Sequence, residues 1–394
     1  MKKAKIGLIG CGARGRSVHL PAIIEGQKGG LLELVAVCDA VEGVSRETGE
    51  AYHVPYYTSA EKMLEKEKEI DIVYITTNDY QHHVYGKLAA ENGKHVFVEK
   101  PMAVTLPCCD VIIKACEKAG VYYEVGEQYF RCPTDRTVMK IVQNQQIGNV
   151  VRAHVKDPEP VHRSDSGVCM DMGVHCMSEI RTYIGGEPTK VTGLVKKLMP
   201  QQAAGVLQED WGFAFVEFEK GQVGTCECAT TVWDDPDKDC YRQVVGTDGI
   251  IQVDARTSVI EGILSLRKRV NEKFVEVPVK KNYGSLLKGH KGLESIVVKT
   301  SPEIVWKNPY TGYNLTDSRI GVMDEIMSIT NAALNDKPPE YGVNARKDVE
   351  MCVAWYESSL RGEPIKLPIT SLTSYEKMVH EDFKKRFGRN PTDI

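Results

Sequence analysis

Ile6-Gly7-Leu8-Ile9-Gly10-Cys11-Gly12-Ala13-Arg14-Gly15 stands near the start of the sequence, a strand-like apolar run leading directly into a Gly-x-Gly-x-x-Gly turn. A helical pattern from Val18 to Gln27 follows. In that setting Gly10 permits the tight turn, Gly12 lets the backbone approach a pyrophosphate, and Gly15 lets helix and strand pack closely. Ala13 and Arg14 complete the turn that would meet the phosphates at the helix N-terminus. Asp39, closing Leu34–Cys38, has the spacing of a carboxylate that hydrogen-bonds the adenosine ribose hydroxyls. A 2′-phosphate there would meet like charge, and Ala40 and Val41 supply no adjacent cation, so NAD is favoured over NADP. Arg46, turned inward, is the residue that would accommodate NADP.

Working outward from this turn, residues 4 to about 128 alternate short β-rich runs with longer helical patterns. The strands are read as Lys5–Ile9, Leu34–Cys38, Ile72–Thr76, His95–Val98 and Tyr122–Val125. The helices are read as Val18–Gln27, Val44–Tyr52, Ser59–Lys66, His82–Asn92 and Leu106–Lys118. Such alternation predicts a doubly wound parallel sheet, a Rossmann domain. After Gly126 the rhythm changes, with helices at Asp135–Asn144 and Cys169–Ile184 and then a β-rich stretch from Lys190 to about Val277. Strands grouped in sequence predict an α+β domain with a large, mostly antiparallel open sheet. Lys281–Thr316 reads as a long excursion, and Val322–Asn335 and Ala345–Arg361 return to helix. The expected domains are 1–128 and 129–394, with C-terminal helices packing back on the first.

The 394 residues are 42% hydrophobic and 26% charged, ordinary for a globular chain, and the formal charge of −4 leaves no basic footprint for nucleic acid or an anionic membrane. No apolar run approaches the ~20 residues of a membrane span. Met1 to Lys5 runs straight into the first strand without the regions of a signal peptide. Twelve cysteines occur without a paired C-x-x-C framework, so no metal and a reducing cytoplasm are expected.

Two further motifs carry chemistry. Glu99-Lys100-Pro101 follows His95–Val98, at the strand end where open α/β sheets bind ligands. A lysine there is suited to donate to an alcohol oxygen or relay its proton. Asp171 and His175 stand four apart, on one face if the segment is helical, so the acid can orient the imidazole as it takes a hydroxyl proton.

These motifs, with Gly93-Lys94-His95-Val96, Arg131-x-Pro133, Gly186-Glu187-Pro188 and Arg361-Gly362-Glu363-Pro364-Ile365, resemble the Gfo/Idh/MocA family of glucose-fructose oxidoreductase and inositol dehydrogenase relatives over nearly the whole chain. The resemblance implies catalytic roles for Lys100, Asp171 and His175, and implies that Thr76, Thr77, His82, Glu99 and Gln128 line the nicotinamide side. It also implies a substrate between the domains and a homo-oligomer, dimer or tetramer, formed through the C-terminal sheet. His162 and Arg163, in a loop rich in hydroxyl-binding groups, are the added substrate candidates beside Lys100, Asp171 and His175. Trp306, Tyr310 and Tyr313 are read as a sugar-stacking platform or, more simply, as packing.

Two departures from the family pattern stand out. Thr77-Asn78-Asp79-Tyr80-Gln81-His82 lacks the usual proline, and Ser178, followed by Glu179, stands where members often carry an acid. The expected activity is NAD-dependent oxidation or reduction of a secondary hydroxyl of a sugar, cyclitol or glycoside. The alternatives are an NAD-dependent glycosidase working by transient oxidation and elimination, and a non-catalytic dinucleotide sensor.

Overall fold

The strand Ala4–Ile9 (β1) is buried at every residue but one, as a run that is apolar on both faces requires when helices cover both sides of a parallel sheet. In the computed structural model it sits mid-sheet beside Leu32–Cys38 (β2) and Ile72–Ile75 (β4), with Tyr56–Tyr57 (β3), His95–Glu99 (β5) and Tyr123–Gly126 (β6) completing the order β3-β2-β1-β4-β5-β6. Every pairing is parallel. This is the doubly wound order whose direction reverses between β1 and β4, placing a ligand crevice beyond the strands' carboxyl ends. The two-residue β3 is too short to show as a hydrophobic run and was not foreseen.

The structure describes residues 2–158, 164–199, 203–230, 239–254, 262–287 and 290–394, with the backbone alone for 285–287 and 290–291. Two units are formed. One comprises Met1–Gln128, Val322–Arg346 and His380–Ile394, and the other Tyr129–Gly321 and Lys347–Val379. Within the first unit, Ser328 donates to the buried Glu124, Tyr122 donates to Asp336, and Arg346 pairs with Asp110, tying the later segment to the sheet.

Helix ends follow local chemistry. The Ser59 hydroxyl accepts the Lys62 N–H to start Ala60–Lys66, and Gly120 and Gly185 end Leu106–Ala119 and Gly173–Ile184 in the left-handed conformation. Gly15–His19 winds as a wide π turn before Leu20–Lys28, with the Leu20 N–H reaching five residues back to the Gly15 carbonyl. Pro21 adjoins it and has no N–H for the usual bond four residues back.

The second unit holds a nine-stranded sheet built from Val150–Pro158 (β7), Pro188–Lys196 (β8), Trp211–Phe218 (β9), Val223–Ala229 (β10), Tyr241–Gly246 (β11), Gly249–Asp254 (β12), Ile263–Val270 (β13) and Lys273–Val277 (β14), with a short edge strand Ile365–Lys366 beyond β8. Apart from the parallel β7–β10 pair, neighbours are antiparallel. Strict alternation of buried and half-buried residues along β9 marks one covered face. The helix Gly173–Ile184 lies close against β10, where a Cβ at Gly224 would come within 2.3 Å of Ile180 Cγ2.

Two readings are corrected. Cys169–Ile184 is two helices, Val168–Asp171 and Gly173–Ile184, divided at Met172. Lys281–Thr316 is no structureless excursion, because Val279–Leu287 (β15), His290–Val298 (β16) and Ile304–Lys307 (β17) form an antiparallel three-stranded sheet. Its lysines, glycines and polar residues dilute the apolar alternation that would announce strands. The C-terminal helix Ser374–Phe387 was not read from sequence at all.

Candidate functional site

The first unit gathers its candidates just beyond the carboxyl ends of β1, β2, β4, β5 and β6. Gly10 has φ +99°, and a Cβ there would lie 2.6 Å from the Thr76 carbonyl carbon. At Gly15 a Cβ would meet the Gly10 carbonyl oxygen at 2.5 Å and Thr76 Oγ1 at 2.8 Å. The Thr76 hydroxyl in turn donates to Gly10 O at 2.5 Å, locking the turn to the end of β4. Nothing described lies within 4 Å of a Cβ at Gly12, whose exposed backbone is open to an approaching phosphate. Ala13 is exposed beside it.

Asp39 is anchored at the same turn. Its two oxygens accept the N–H groups of Cys11 at 2.8 Å and Val41 at 2.9 Å. Each oxygen keeps a lone pair for a ribose hydroxyl. Burial and the Asp39 charge push the Cys11 thiol up to about 11, so the turn carries no thiolate.

Glu99, 4% exposed, is the charged centre of this half. Burial opposes its ionisation, but the Arg14 guanidinium and the His19 ring hold its carboxyl well below the usual range. Arg14 Nε donates to Glu99 Oε1 at 2.5 Å, Arg14 Nη2 donates to Gln128 Oε1 at 2.6 Å, and His19 Nε2 contacts Glu99 Oε1 at 2.6 Å. Burial lowers His19, so the neutral ring donates from Nε2. The other Glu99 oxygen accepts the Lys100 backbone N–H at 3.0 Å, coupling this cluster to the candidate lysine; the Lys100–Pro101 peptide is cis. The contacts of Arg14 and His19 with Glu99 leave no trace in the sequence, because residues 85 and 80 positions apart carry no joint pattern.

The loop that lacks the family's proline is held otherwise. The Asn78 side chain accepts the Tyr80 N–H at 2.9 Å, while the buried His82 directs Nδ1 at Pro101 O (2.8 Å) and Nε2 at Thr77 O (3.2 Å). Both ring nitrogens of His82 face backbone carbonyls, so its chemistry here is to brace the Thr77 loop against Pro101.

In the second unit His175 is 2% exposed and its ring stacks on Tyr129, centroids 3.9 Å apart at 8°. Beyond Tyr129 lies Arg242, its guanidinium carbon 5.5 Å from the ring centroid. Arg242 is fully buried and donates to Glu179 Oε1 at 2.6 Å and to Asp157 Oδ2 at 3.3 Å. Two acids compete for one guanidinium, and burial pushes Glu179 up to about 8 against the attraction of Arg242. Ser178 points its hydroxyl back at the His175 carbonyl, 2.9 Å away. The residue expected to stand for the family's acid therefore serves the helix, and its neighbour Glu179 serves Arg242.

Asp171 ends the short helix and is half-buried; the break at Met172 keeps right-handed helical angles (φ −88°, ψ −29°), so the step from Asp171 to His175 remains close to one helical turn. Lys100 belongs to the first unit, and Asp171 and His175 belong to the second. His162 and Arg163 lie outside the described residues. Trp306 is only 6% exposed in β17, a packing role, and Tyr310 meets Tyr313 edge-on at 6.3 Å.

All twelve cysteines are buried and free of disulfides. Strand alternation points Cys226 and Cys228 at the same side of β10, where Cys176 of the overlying helix comes within 3.6 Å of Cys228, itself 3.7 Å from Cys226. Among the described residues no fourth His, Cys, Asp or Glu atom joins these three within 4.8 Å.

A Rossmann sheet with a glycine turn and an acid closing its second strand, followed by a unit with a large open sheet, is the architecture of a dinucleotide-dependent oxidoreductase. Residues 4–127 match the family model described as oxidoreductase family, NAD-binding Rossmann fold, and residues 136–252 match the GFO/IDH/MocA C-terminal domain. The chain belongs to the GFO/IDH/MocA family. It is similar to the D-apiose dehydrogenase of Paraburkholderia graminis, 27% identical over 58% of this chain and 61% of that one. It is also similar to the 2,7-anhydro-N-acetylneuraminate hydratase of Mediterraneibacter gnavus, 25% identical over 64% of this chain and 68% of the relative. The chain thus spans about two thirds of the length of these relatives. Among solved structures, the aldose-aldose oxidoreductase of Caulobacter crescentus superposes with a TM-score of 0.73 at 20% identity, covering 93% of this chain and all of that one, a likeness of fold. Among the described residues no helix is long and apolar enough to cross a membrane.

Proposed function

We propose that this protein is an NAD-dependent dehydrogenase that oxidises or reduces one secondary hydroxyl of a sugar, cyclitol or glycoside. What supports this most is the convergence of the glycine turn, Asp39 and the Glu99–Lys100 corner at the carboxyl edge of one parallel sheet. Gly10, Gly12, Ala13, Arg14 and Gly15 would hold the pyrophosphate, Asp39 the ribose, and Thr76, Thr77, Glu99 and Gln128 the nicotinamide side. NAD, when bound, supplies the hydride acceptor or donor.

The remaining chemistry belongs to the chain. Lys100 donates a hydrogen bond to the reacting oxygen and disfavours its proton-bound form. His175 takes the hydroxyl proton as the carbonyl forms and returns it in the reverse direction, while Asp171 orients the imidazole and binds a neighbouring hydroxyl. The Tyr129 stack holds the His175 ring plane. His162 and Arg163 are proposed as further substrate contacts, and the protein as a cytoplasmic homo-oligomer joined through its open sheet.

The resemblance to a hydratase favours a second reading, in which transient oxidation acidifies a neighbouring C–H, a glycosidic or anhydro bond leaves by elimination, and water adds. Both readings are tested by following NADH absorbance with a panel of inositols, aldoses, aryl glycosides and anhydro sugars. The dehydrogenase predicts stoichiometric NADH from one substrate, reduced at least ~100-fold in Lys100→Ala and His175→Ala. Product release without net NADH would select the elimination reading. Tight NAD binding with no turnover of any kind would refute both.

A further inference from the structure

Glu209 is a carboxyl that the proposed chemistry leaves unused, buried to 1% exposure at the start of the segment that carries Asp171. The short helix Val168–Asp171 begins at Gly167, whose φ of +93° and lack of a side chain leave the helix without an N-terminal cap of its own. Glu209 takes that place from elsewhere in the chain. Its carboxyl lies so close that a Cβ at Gly167 would stand 1.9 Å from Oε1, and the Cys169 backbone N–H of the first helical turn is near enough to favour its charge. The Tyr356 hydroxyl donates to the same Oε1 at 2.5 Å and also reaches toward Ser166 O at 3.5 Å, and the Tyr356 ring stacks on Tyr375 with centroids 4.1 Å apart. Glu209 is itself fixed by the paired backbone bonds between Ala204 and Glu209, each 3.0 Å. Its second oxygen, Oε2, is buried with no hydrogen-bond partner among the described residues.

We infer that Glu209 is a positioning residue for Asp171: as a carboxylate it caps the helix that ends at Asp171 and clamps it to Tyr356, and on protonation it releases that clamp. This rests on the dehydrogenase reading for the role of Asp171. The environment supports a switch near neutrality. Burial, with Asp210 beside it adding repulsion, pushes Glu209 up to about 7, against the Tyr356 hydroxyl and the backbone N–H donors that favour the charge. The other titratable groups against it are the Cys169 thiol and Tyr356, both pushed up by burial and so uncharged, with Tyr375 behind Tyr356. The carboxylate that caps best is therefore the form that burial disfavours, and mild acid suffices to neutralise it.

The experiment pairs a kinetic and a non-kinetic readout on the full chain, in wild type, Glu209→Gln and Glu209→Ala. The amide of Glu209→Gln is neutral, like the protonated acid, and cannot titrate, so it stands for the released clamp at every pH. The expected result is that kcat of wild type falls in acid with two ionisations. Glu209→Gln should lose one of them, and Glu209→Ala should drop kcat about tenfold at pH 8 with the NAD dissociation constant changed less than twofold. Hydrogen exchange of the peptide spanning 166–175 should speed up in Glu209→Ala and Glu209→Gln at every pH and, in wild type after correction for intrinsic rates, only below pH 6.5. An unchanged acid limb in Glu209→Gln, or exchange in 166–175 indifferent to both substitutions, would overturn the proposal. Absence of turnover in wild type would sink the dehydrogenase reading instead, and the exchange data would still decide the clamp.

Discussion

Arg242→Met is the perturbation whose cost the structure lets one work out. The guanidinium is 1% exposed and holds two acids that are themselves buried, Glu179 and Asp157, besides lying beneath the Tyr129 ring that stacks on His175. Methionine preserves much of the volume but none of the donors, and removing one partner of a buried ion pair costs about 3–5 kcal/mol. The cost depends on pH in a calculable way. With Glu179 held near 8 by burial against Arg242, wild type has this acid protonated at pH 6 and ionised at pH 9. In the variant Glu179 stays protonated at both. The ionisation that wild type gains between pH 8 and pH 9 is worth about 1.4 kcal/mol, so Arg242→Met should be about 1.4 kcal/mol more destabilising at pH 9 than at pH 6. Urea unfolding followed by tryptophan fluorescence measures this selectively, because Trp211, Trp233, Trp306 and Trp355 all fall within the sequence span of the second unit. Activity should fall with it as the Tyr129–His175 stack loosens. A loss below about 1 kcal/mol, or one equal at both pH values, would refute the ion-pair account.

Gly15→Ala should cost about 1–3 kcal/mol of stability in thermal unfolding and abolish measurable NAD binding by calorimetry, since its methyl would press on the Gly10 carbonyl and Thr76 at once. Asp39→Ala should weaken NAD about tenfold and move the ratio of kcat/KM values toward NADP; an unaltered ratio would mean Asp39 only braces the turn through Cys11 and Val41. Glu179 and Glu209, whose folded values lie at about 8 and about 7 against about 4.3 in an unfolded chain, contribute stability that is present below about pH 4.3 and lost as pH rises through those values. A Tm series from pH 5 to 9 should therefore decline, and Glu179→Gln should flatten the decline. Glu99 works in the opposite sense, its depressed value lending stability above its unfolded range that acid removes progressively, so Glu99→Gln should lower Tm at pH 7 and the gap to wild type should narrow steadily as pH falls below about 4.3.

The first unit was legible because its signals are local. β1 flows into Gly10–Gly15 and Asp39 closes β2 within a few dozen residues, and each step is demanded by backbone geometry or by the chemistry of a phosphate and a ribose. The register of strands and helices to residue 128 could be read for the same reason, apart from β3, whose two residues leave no periodic trace. The three-stranded sheet β15–β17 escaped because its strands are interrupted by polar residues and glycines, and the Met172 break escaped because Val168 to Ile184 keeps a continuous helical apolar pattern across it.

Sequence by itself determined the class of fold and the glycine turn, since motif spacing in a short stretch is a property of the chain; the roles of Lys100, Asp171 and His175 rest on the family resemblance. Tertiary structure alone decided what surrounds them. Glu99 with Arg14 and His19, Arg242 with Glu179 and Asp157, Tyr129 on His175, and Glu209 at Gly167 join residues between 42 and 85 positions apart. These partners are selected by burial, because a charge or an uncapped amide taken out of water must find a counterpart wherever the fold brings one within reach.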